Sequence, residues 1–220
     1  MDPVRHALSI VSLYGDPVAT VAAAAGCAMA FAARRRWAAM AGFMAMLLAV
    51  VAIEVATKVV YYGWGFRFGI ASFRGVSGHV LRAFAVWPSL GFLVCAGSSR
   101  ARQIAGTIAG FVLALTVLLA MVLTDTHTPA EAIAGMLVGL AVPVLLARNE
   151  RLASLRGSMQ LAIVATVALL CAFAPRIDYD IETAIARTAG SLHAWWDATS
   201  CAAHAAAHPC EHAGATGIGR

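Results

Sequence analysis

Charged residues are scarce in this chain. Asp, Glu, Lys and Arg together make up 12% of its 220 residues, whereas 61% are hydrophobic and the mean hydropathy is +0.79. A soluble domain carries roughly 25% charged and about 45 to 50% apolar residues. This balance excludes an ordinary soluble globular protein and predicts an integral membrane protein.

Two other features are missing. The net charge of +5 comes from short basic clusters between apolar runs; there is no basic surface interleaved with aromatic residues, so we expect no nucleic-acid partner. Residues 1–15 lack the basic start, apolar core and small-residue cleavage site of a signal peptide, which predicts that the first span is retained.

Cysteines are few, and those inside apolar runs are expected to be inert small hydrophobic residues: Cys27, Cys95 and Cys171.

Six apolar runs approach the roughly 20 residues that a membrane-spanning helix needs. The first follows Asp16, which can cap a helix, and Pro17, which suits a first helical turn. The sequence therefore predicts an all-α, six-helix membrane core over residues 16–174, preceded by an N-terminal interfacial segment (1–15) and followed by a C-terminal extramembrane tail (175–220). The predicted spans are 17–33, 37–62, 79–97, 104–124, 129–147 and 158–174.

Arginines set the predicted orientation. Basic clusters follow the first, third and fifth spans, and the positive-inside rule places these loops in the cytoplasm: Arg34, Arg35, Arg36, Arg100, Arg102, Arg148, Arg151 and Arg156. Both termini and the connections 63–78 and 125–128 then face outward. Arg67, Arg74 and Arg82 break the rule, and binding an anion would explain their position.

The second span contains two ionisable residues. Glu54 and Lys58 are four residues apart and so share one helical face. Charges at this depth are costly and usually face a cavity or a partner. Two interpretations stay open: a structural Glu–Lys pair, or a Lys58 that supplies positive charge to an outward-facing pocket.

Polar residues cluster where two helices are predicted to begin on the outer side. Ser77, Gly78 and His79 lie at the start of the third span, where helix N-terminal amides can bind an anion. His127 precedes the fifth span, and Glu131 follows it by four residues, near enough to orient the imidazole. The convergence of two histidines, a lysine, a serine and a carboxylate favours a catalytic site.

This pattern resembles the type 2 phosphatidic acid phosphatase superfamily, the membrane relatives of vanadium haloperoxidases, over roughly residues 14–146. That family has Lys-x6-Arg-Pro, Pro-Ser-Gly-His and Ser-Arg-x5-His-x3-Asp motifs. Here the first is represented by Lys58 and, after a longer gap, Arg67 without its proline. The second has Val76 in place of proline, and the third keeps only the spacing of His127 and Glu131.

The third motif departs from the family in a way that matters. Its Ser-Arg pair falls on Ala120 and Met121. The family's arginine binds phosphate and stabilises transition-state charge, a contribution of the kind that is worth several kcal/mol. We expect Arg82 or Arg74 to replace that charge.

The resemblance implies a metal-independent, cofactor-free lipid phosphatase in a bacterial inner membrane, with its active site facing the periplasm. His127 would form a phosphohistidine, Glu131 would orient it, and His79 would protonate the leaving oxygen and then activate water. The phosphate of a lipid or of a polyprenyl (pyro)phosphate would bind at a cradle of six residues: Lys58, Ser77, Gly78, Arg82, Arg74 and Arg67.

Two alternatives to the enzyme stay open, namely a catalytically silent relative that binds phospholipid headgroups and a small transporter that uses Glu54 and Lys58. In the tail, residues 181–207 are expected to be helical, with Trp195 and Trp196 as an interfacial anchor. The terminal segment offers either a Cys201–Cys210 disulfide, a metal site whose spacing fits no standard zinc pattern, or a disordered end.

Overall fold

A computed structural model of the protein describes residues 3–32, 35–66, 69, 73–148 and 181–207, the last seven of these as backbone only. All regular structure within these ranges is helical, which confirms the predicted all-α class for this part of the chain. The sixth predicted span, residues 158–174, lies outside the described residues, as does Arg67.

Eight α-helices follow one another along the described chain. They are α1 (Pro3–Ser12), α2 (Pro17–Ala32), α3 (Trp37–Trp64), α4 (Gly78–Val94), α5 (Arg100–Leu123), α6 (Pro129–Gly139), α7 (Ala141–Ala147) and α8 (Ile181–Ala207), with a 3-10 turn at Leu13–Gly15. Each of the first five predicted spans coincides with one of these helices or, for 129–147, with α6 and α7 together. Asp16 caps α2 as predicted, since its Oδ1 accepts a hydrogen bond from Val18 N at 2.8 Å.

Several helices are suited to a membrane. Three are long and apolar enough to cross one, namely α3, α5 and the α6–α7 stretch Pro129–Ala147. A fourth crossing results if the N-terminal pair Pro3–Gly15 and Pro17–Ala32, bent by 42°, counts as one span; α4 is apolar but shorter. Large apolar side chains such as Leu48, Ile108 and Leu137 point outward. An apolar exterior of this kind fits a lipid surround better than water.

Helix α4 is the centre of the described bundle. Its side chains are largely buried, including Val80, Leu81 and Phe84, and it packs between α5 and α6. Both neighbours approach through glycines four residues apart: Gly106 and Gly110 on α5, and Gly135 and Gly139 on α6. Small residues at this spacing let helix backbones come close in lipid. The contacts of the α6 glycines with Ser77 and Leu81 fix where the N-terminal end of α4 lies.

We expect Gly139→Ala to lower stability. A methyl group there would meet the carbonyl oxygen of Leu81 and, at 3.0 Å, Phe84 Cβ. Overpacking of this kind costs about 1–3 kcal/mol. Gly42→Ala in α3 is the matched control, because a Cβ at Gly42 has nothing within 4 Å, and removing a helical glycine there should stabilise slightly. Thermal unfolding in detergent compares them; equal melting temperatures would contradict the close α4–α6 packing.

Helix α8 confirms the predicted helix in the tail. It packs against the C-terminal part of α3, with Ala189 O beside Gly63 and the rings of Trp64 and His193 5.6 Å apart. Trp195 and Trp196 are exposed, which suits an interfacial position. The packing brings the first turn of α8 to the end of α3 that carries Lys58.

Candidate functional site

One end of the bundle holds a small polar cavity. The C-terminal part of α3 meets the N-terminal ends of α4, α6 and α8 there. The cavity has a volume of about 70 Å³, and it is lined by Lys58, Arg74, Gly75, Asp125, Thr126, His127, Thr128, Glu131 and Glu182. Four of these belong to the site predicted from the sequence: Lys58, Arg74, His127 and Glu131.

Glu131 is the buried carboxylate that organises this end. Its Oε2 accepts a hydrogen bond from Thr128 N at 3.0 Å, while the Thr128 hydroxyl accepts one from Glu131 N, which closes a capping box at the start of α6. The same Oε2 lies 3.3 Å from His127 Nδ1, and Oε1 accepts from Arg74 N at 2.7 Å. One carboxylate therefore orients the imidazole and holds the loop that leads into α4.

His127 is a partly buried histidine next to a carboxylate. Burial lowers the pKa of its imidazole below the usual 6.5, and the hydrogen bond and negative charge of Glu131 offset this only in part. The ring is therefore neutral at pH 7. Since Nδ1 faces Glu131, Nε2 is left as the free nitrogen, which is the form that nucleophilic attack requires.

His79 lies opposite His127. The two ring centroids are 6.1 Å apart and the ring planes are inclined at 51°. Gly15 in the 3-10 turn packs directly on His79, since a Cβ on Gly15 would lie 3.0 Å from His79 Cβ and 3.1 Å from its carbonyl oxygen. The N-terminal segment thus supports the back of the second histidine.

Lys58 is nearly buried, and it lies between two carboxylates. Its Nζ is 3.7 Å from Glu54 Oε1 and 3.8 Å from Glu182 Oε2. Gly75 allows the loop to pass over it: its φ of +131° disfavours other residues, and a Cβ there would approach Lys58 Cγ to 3.0 Å. The lysine therefore presents its charge to the cavity from a fixed position.

Behind the cavity, Glu54 pairs with Arg82. Nη1 of Arg82 donates to both Glu54 oxygens, at 3.1 and 2.8 Å, and the carboxylate is almost fully buried. Gly78 makes room for this pair, because a Cβ there would collide with the Glu54 carboxylate. The structure has a feature of each interpretation of Glu54 and Lys58. The two side chains form an ion pair, and Lys58 also lines the cavity.

The remaining predicted residues occupy different places. Arg74 lines the cavity and is exposed, whereas Arg82 is engaged by Glu54. Ser77 is fully buried, its N donates to Glu131 O at 3.1 Å, and its hydroxyl has no hydrogen-bond partner among the described residues. Ala120 and Met121 are buried, and the Met121 carbonyl accepts from the backbone N of Thr126 and His127. The position of the family's arginine thus carries no charge.

A contact between Glu182, which lines the cavity, and Tyr62 was not predicted. Glu182, from the first turn of α8, accepts a hydrogen bond from the Tyr62 hydroxyl at 2.5 Å. Burial acts to raise the pKa of Glu182, but the Tyr62 hydrogen bond and the charge of Lys58 outweigh it and lower the pKa. Glu182 is therefore ionised at pH 7. Glu182 and Tyr62 are 120 residues apart in the sequence, so no local sequence pattern could have predicted their contact.

Metal-ligating side chains do not gather at this site. Within the part of the chain that the structure describes, no group of three His, Cys, Asp or Glu side chains is arranged to hold a metal ion. The terminal disulfide or metal set, which involves Cys201, His204, His208, Cys210 and His212, lies outside the described side chains.

A larger cavity of about 750 Å³ lies at the other end of α4, next to the α4–α5 connection. Its lining is mixed and includes Phe92, Arg100, Gln103, Ile108 and Pro143. None of the predicted site residues that the structure describes lines this larger cavity.

Comparison with known proteins gives one relative. The chain is 30% identical over 133 residues to an "Uncharacterized 22.5 kDa protein in cps region" of Klebsiella pneumoniae, a match that covers 60% of this chain and 64% of that protein. The chain thus matches less than two thirds of the relative's length. No family model matches the chain. No solved structure matches it either.

Proposed function

We propose that the protein is a membrane phosphatase that removes phosphate from a lipid phosphate or a polyprenyl (pyro)phosphate through a phosphohistidine on His127. The observation that supports this best is the facing pair of His79 and His127, 6.1 Å apart, with Glu131 at 3.3 Å from the second ring. A nucleophile, an orienting carboxylate and a second proton-transfer group are the parts that such a reaction needs.

The histidines divide the chemistry between them. Nε2 of His127 attacks phosphorus, so that an N–P bond forms and the P–O bond to the lipid breaks, while His79 gives a proton to the departing oxygen. Water then attacks phosphorus and passes a proton to His79, and the N–P bond breaks to release inorganic phosphate. Glu131 stabilises the positive charge that the imidazole ring carries while the N–P bond exists, as the acid of a catalytic triad does.

Positive charge prepares the site for phosphate. Lys58 lies at the cavity wall and Arg74 at its rim. Phosphoryl transfer depends mainly on positioning and on stabilising charge at the oxygens, so these cations would supply most of the catalysis that the histidines do not. Arg74 is the better placed of the two arginines proposed to replace the missing one, because Glu54 holds Arg82.

The apolar helices support a location in a membrane. If the positive-inside rule places the basic clusters in the cytoplasm of a bacterial cell, the cavity would face the periplasm from the inner membrane. It lies at the end of α3, one of the helices that are long and apolar enough to cross a membrane. A lipid phosphate could therefore enter with its headgroup in the cavity and its chains in the hydrocarbon.

Phosphate release tests the proposal. The purified full-length protein is given phosphatidic acid, phosphatidylglycerophosphate or undecaprenyl pyrophosphate, each with and without EDTA. We expect release from at least one substrate, unaffected by EDTA, and an acid-labile phosphoryl group on His127 after rapid quenching. Absence of release from all three, or complete loss with EDTA, would contradict it.

Binding without turnover is the second candidate function. The specific observation in its favour is the loss of charge at Met121 together with the engagement of Arg82 by Glu54. In that case the protein binds lipid phosphates in a vesicle-flotation assay but releases no phosphate, and His127→Ala leaves the binding unchanged. Release of phosphate by the unmodified protein rejects this candidate.

A further inference from the structure

We infer that Glu182 is an internal competitor for the phosphate site: its carboxylate occupies the place of the substrate's anionic group, and substrate must displace it. This inference rests on the proposed function. It concerns a residue outside the family's motifs, carried by a helix that the sequence suggested only as an interfacial anchor.

The contacts of Glu182 are those that a phosphate oxygen would make. Lys58 Nζ lies 3.8 Å from Oε2, and the Tyr62 hydroxyl donates to Oε1 at 2.5 Å. A cation and a neutral donor of this kind bind carboxylate and phosphate oxygens alike. Glu182 also lines the cavity that contains His127. Glu182 therefore already occupies the position at which a bound anion would contact Lys58.

Charge balance leads to the same conclusion. Three cations, Lys58, Arg74 and Arg82, lie in or behind the described site. Three buried or half-buried carboxylates lie with them: Glu54 and Glu182 beside Lys58, and Glu131 beside His127. With Glu182 in place the cluster is neutral, apart from Asp125 at the exposed rim, and has no excess charge for a phosphate. Moving Glu182 out removes one negative charge from the cluster and leaves Glu54, at 3.7 Å, as the remaining carboxylate beside Lys58.

Displacement needs little rearrangement. The Glu182 side chain is 47% exposed, whereas that of Lys58 is 8% exposed, so the carboxylate can swing outward while the lysine stays. The rest of α8 is anchored to α3 at Gly63 and Trp64. Rotation of one side chain in the first helical turn is therefore sufficient to open the place to substrate.

The test compares Glu182→Gln with the unmodified full-length protein in detergent, with inorganic phosphate as the probe in calorimetric titrations. We expect the variant to bind phosphate about tenfold more tightly, because Lys58 no longer has an anionic side chain at 3.8 Å that phosphate must displace. In lipid phosphate hydrolysis, KM falls by a similar factor while kcat is unchanged, since displacement weakens ground state and transition state equally.

Two variants control the experiment. Asp197→Asn removes the same charge from the same helix, where Asp197 is paired with His193 at 3.4 Å and away from the cavity, and should leave the phosphate affinity unchanged. Tyr62→Phe removes a donor that Glu182 and phosphate would both use, and should change the phosphate affinity less than Glu182→Gln does.

The binding data distinguish failure of the competitor role of Glu182 from failure of the proposed function. If Lys58→Met weakens phosphate binding but Glu182→Gln does not strengthen it, the competitor role is wrong and the proposed function survives. Weaker binding by Glu182→Gln would make Glu182 a supporting part of the site and would equally overturn the inference. If no variant binds or releases phosphate, the proposed function fails together with it.

Discussion

His127→Gln is expected to reduce phosphate release by roughly 10⁴-fold or more, the scale at which loss of a covalent nucleophile is measured. Gln keeps a side chain of similar reach and can still hydrogen-bond to Glu131, but its amide cannot form the N–P bond. Binding of inorganic phosphate should change little, because Lys58 and Arg74 remain. The measurement pairs initial rates of phosphate release with a quenched-flow search for the phosphorylated protein, which should be absent.

His193→Gln is the matched control for this prediction. His193 also lies four residues before a carboxylate, with Nε2 at 3.4 Å from Asp197, but it packs beside Trp64 and does not line the cavity. We expect full activity from that variant. His79→Gln should fall between the two, with a loss of about 10²–10⁴-fold, the usual contribution of general acid–base catalysis. Full activity of His127→Gln would remove the phosphohistidine from the mechanism.

Local signals made part of this site predictable. Asp16, Pro17 and the Thr128–Glu131 capping box mark helix starts through interactions within a few residues, so the sequence predicts these boundaries well. The apolar runs then place the starts of α4 and α6 at the same end of the bundle. Two histidines that begin these helices must lie near each other, and the structure has them 6.1 Å apart.

Such local signals do not determine which faces of the helices pack against each other. Arg82 follows His79 by one helical turn, which suggested that both face the phosphate, but α3 packs so that Glu54 meets the guanidinium first. The side of α4 that faces α3 depends on close contacts at glycines. One of these is Gly78, which lies against the Glu54 carboxylate of α3. The contact of Glu182 was even less predictable from the sequence, since its partner Tyr62 is 120 residues away along the chain. Both contacts add negative charge to a site that the sequence suggested was largely positive.

The buried pair of Glu54 and Arg82 carries the largest predicted effect on stability. Glu54→Gln keeps the shape and one acceptor oxygen but removes the charge that balances Arg82 at 2.8 Å and Lys58 at 3.7 Å. Leaving buried charges uncompensated costs about 3–5 kcal/mol. We therefore expect a marked fall in melting temperature and in the free energy of unfolding, both measured in detergent.

A double variant separates charge balance from packing at this pair. Glu54→Gln combined with Arg82→Gln places two neutral amides together, and we expect it to recover more than half of the stability that the single change loses, because the unpaired guanidinium is gone. Asp197→Asn removes an exposed carboxylate and should shift stability by no more than about 0.5 kcal/mol. If Glu54→Gln alone leaves stability unchanged, Glu54 does not balance the buried charges of Arg82 and Lys58. The transporter alternative, in which Glu54 and Lys58 serve a permeation path, predicts that Glu54→Gln impairs function while His127→Gln has little effect.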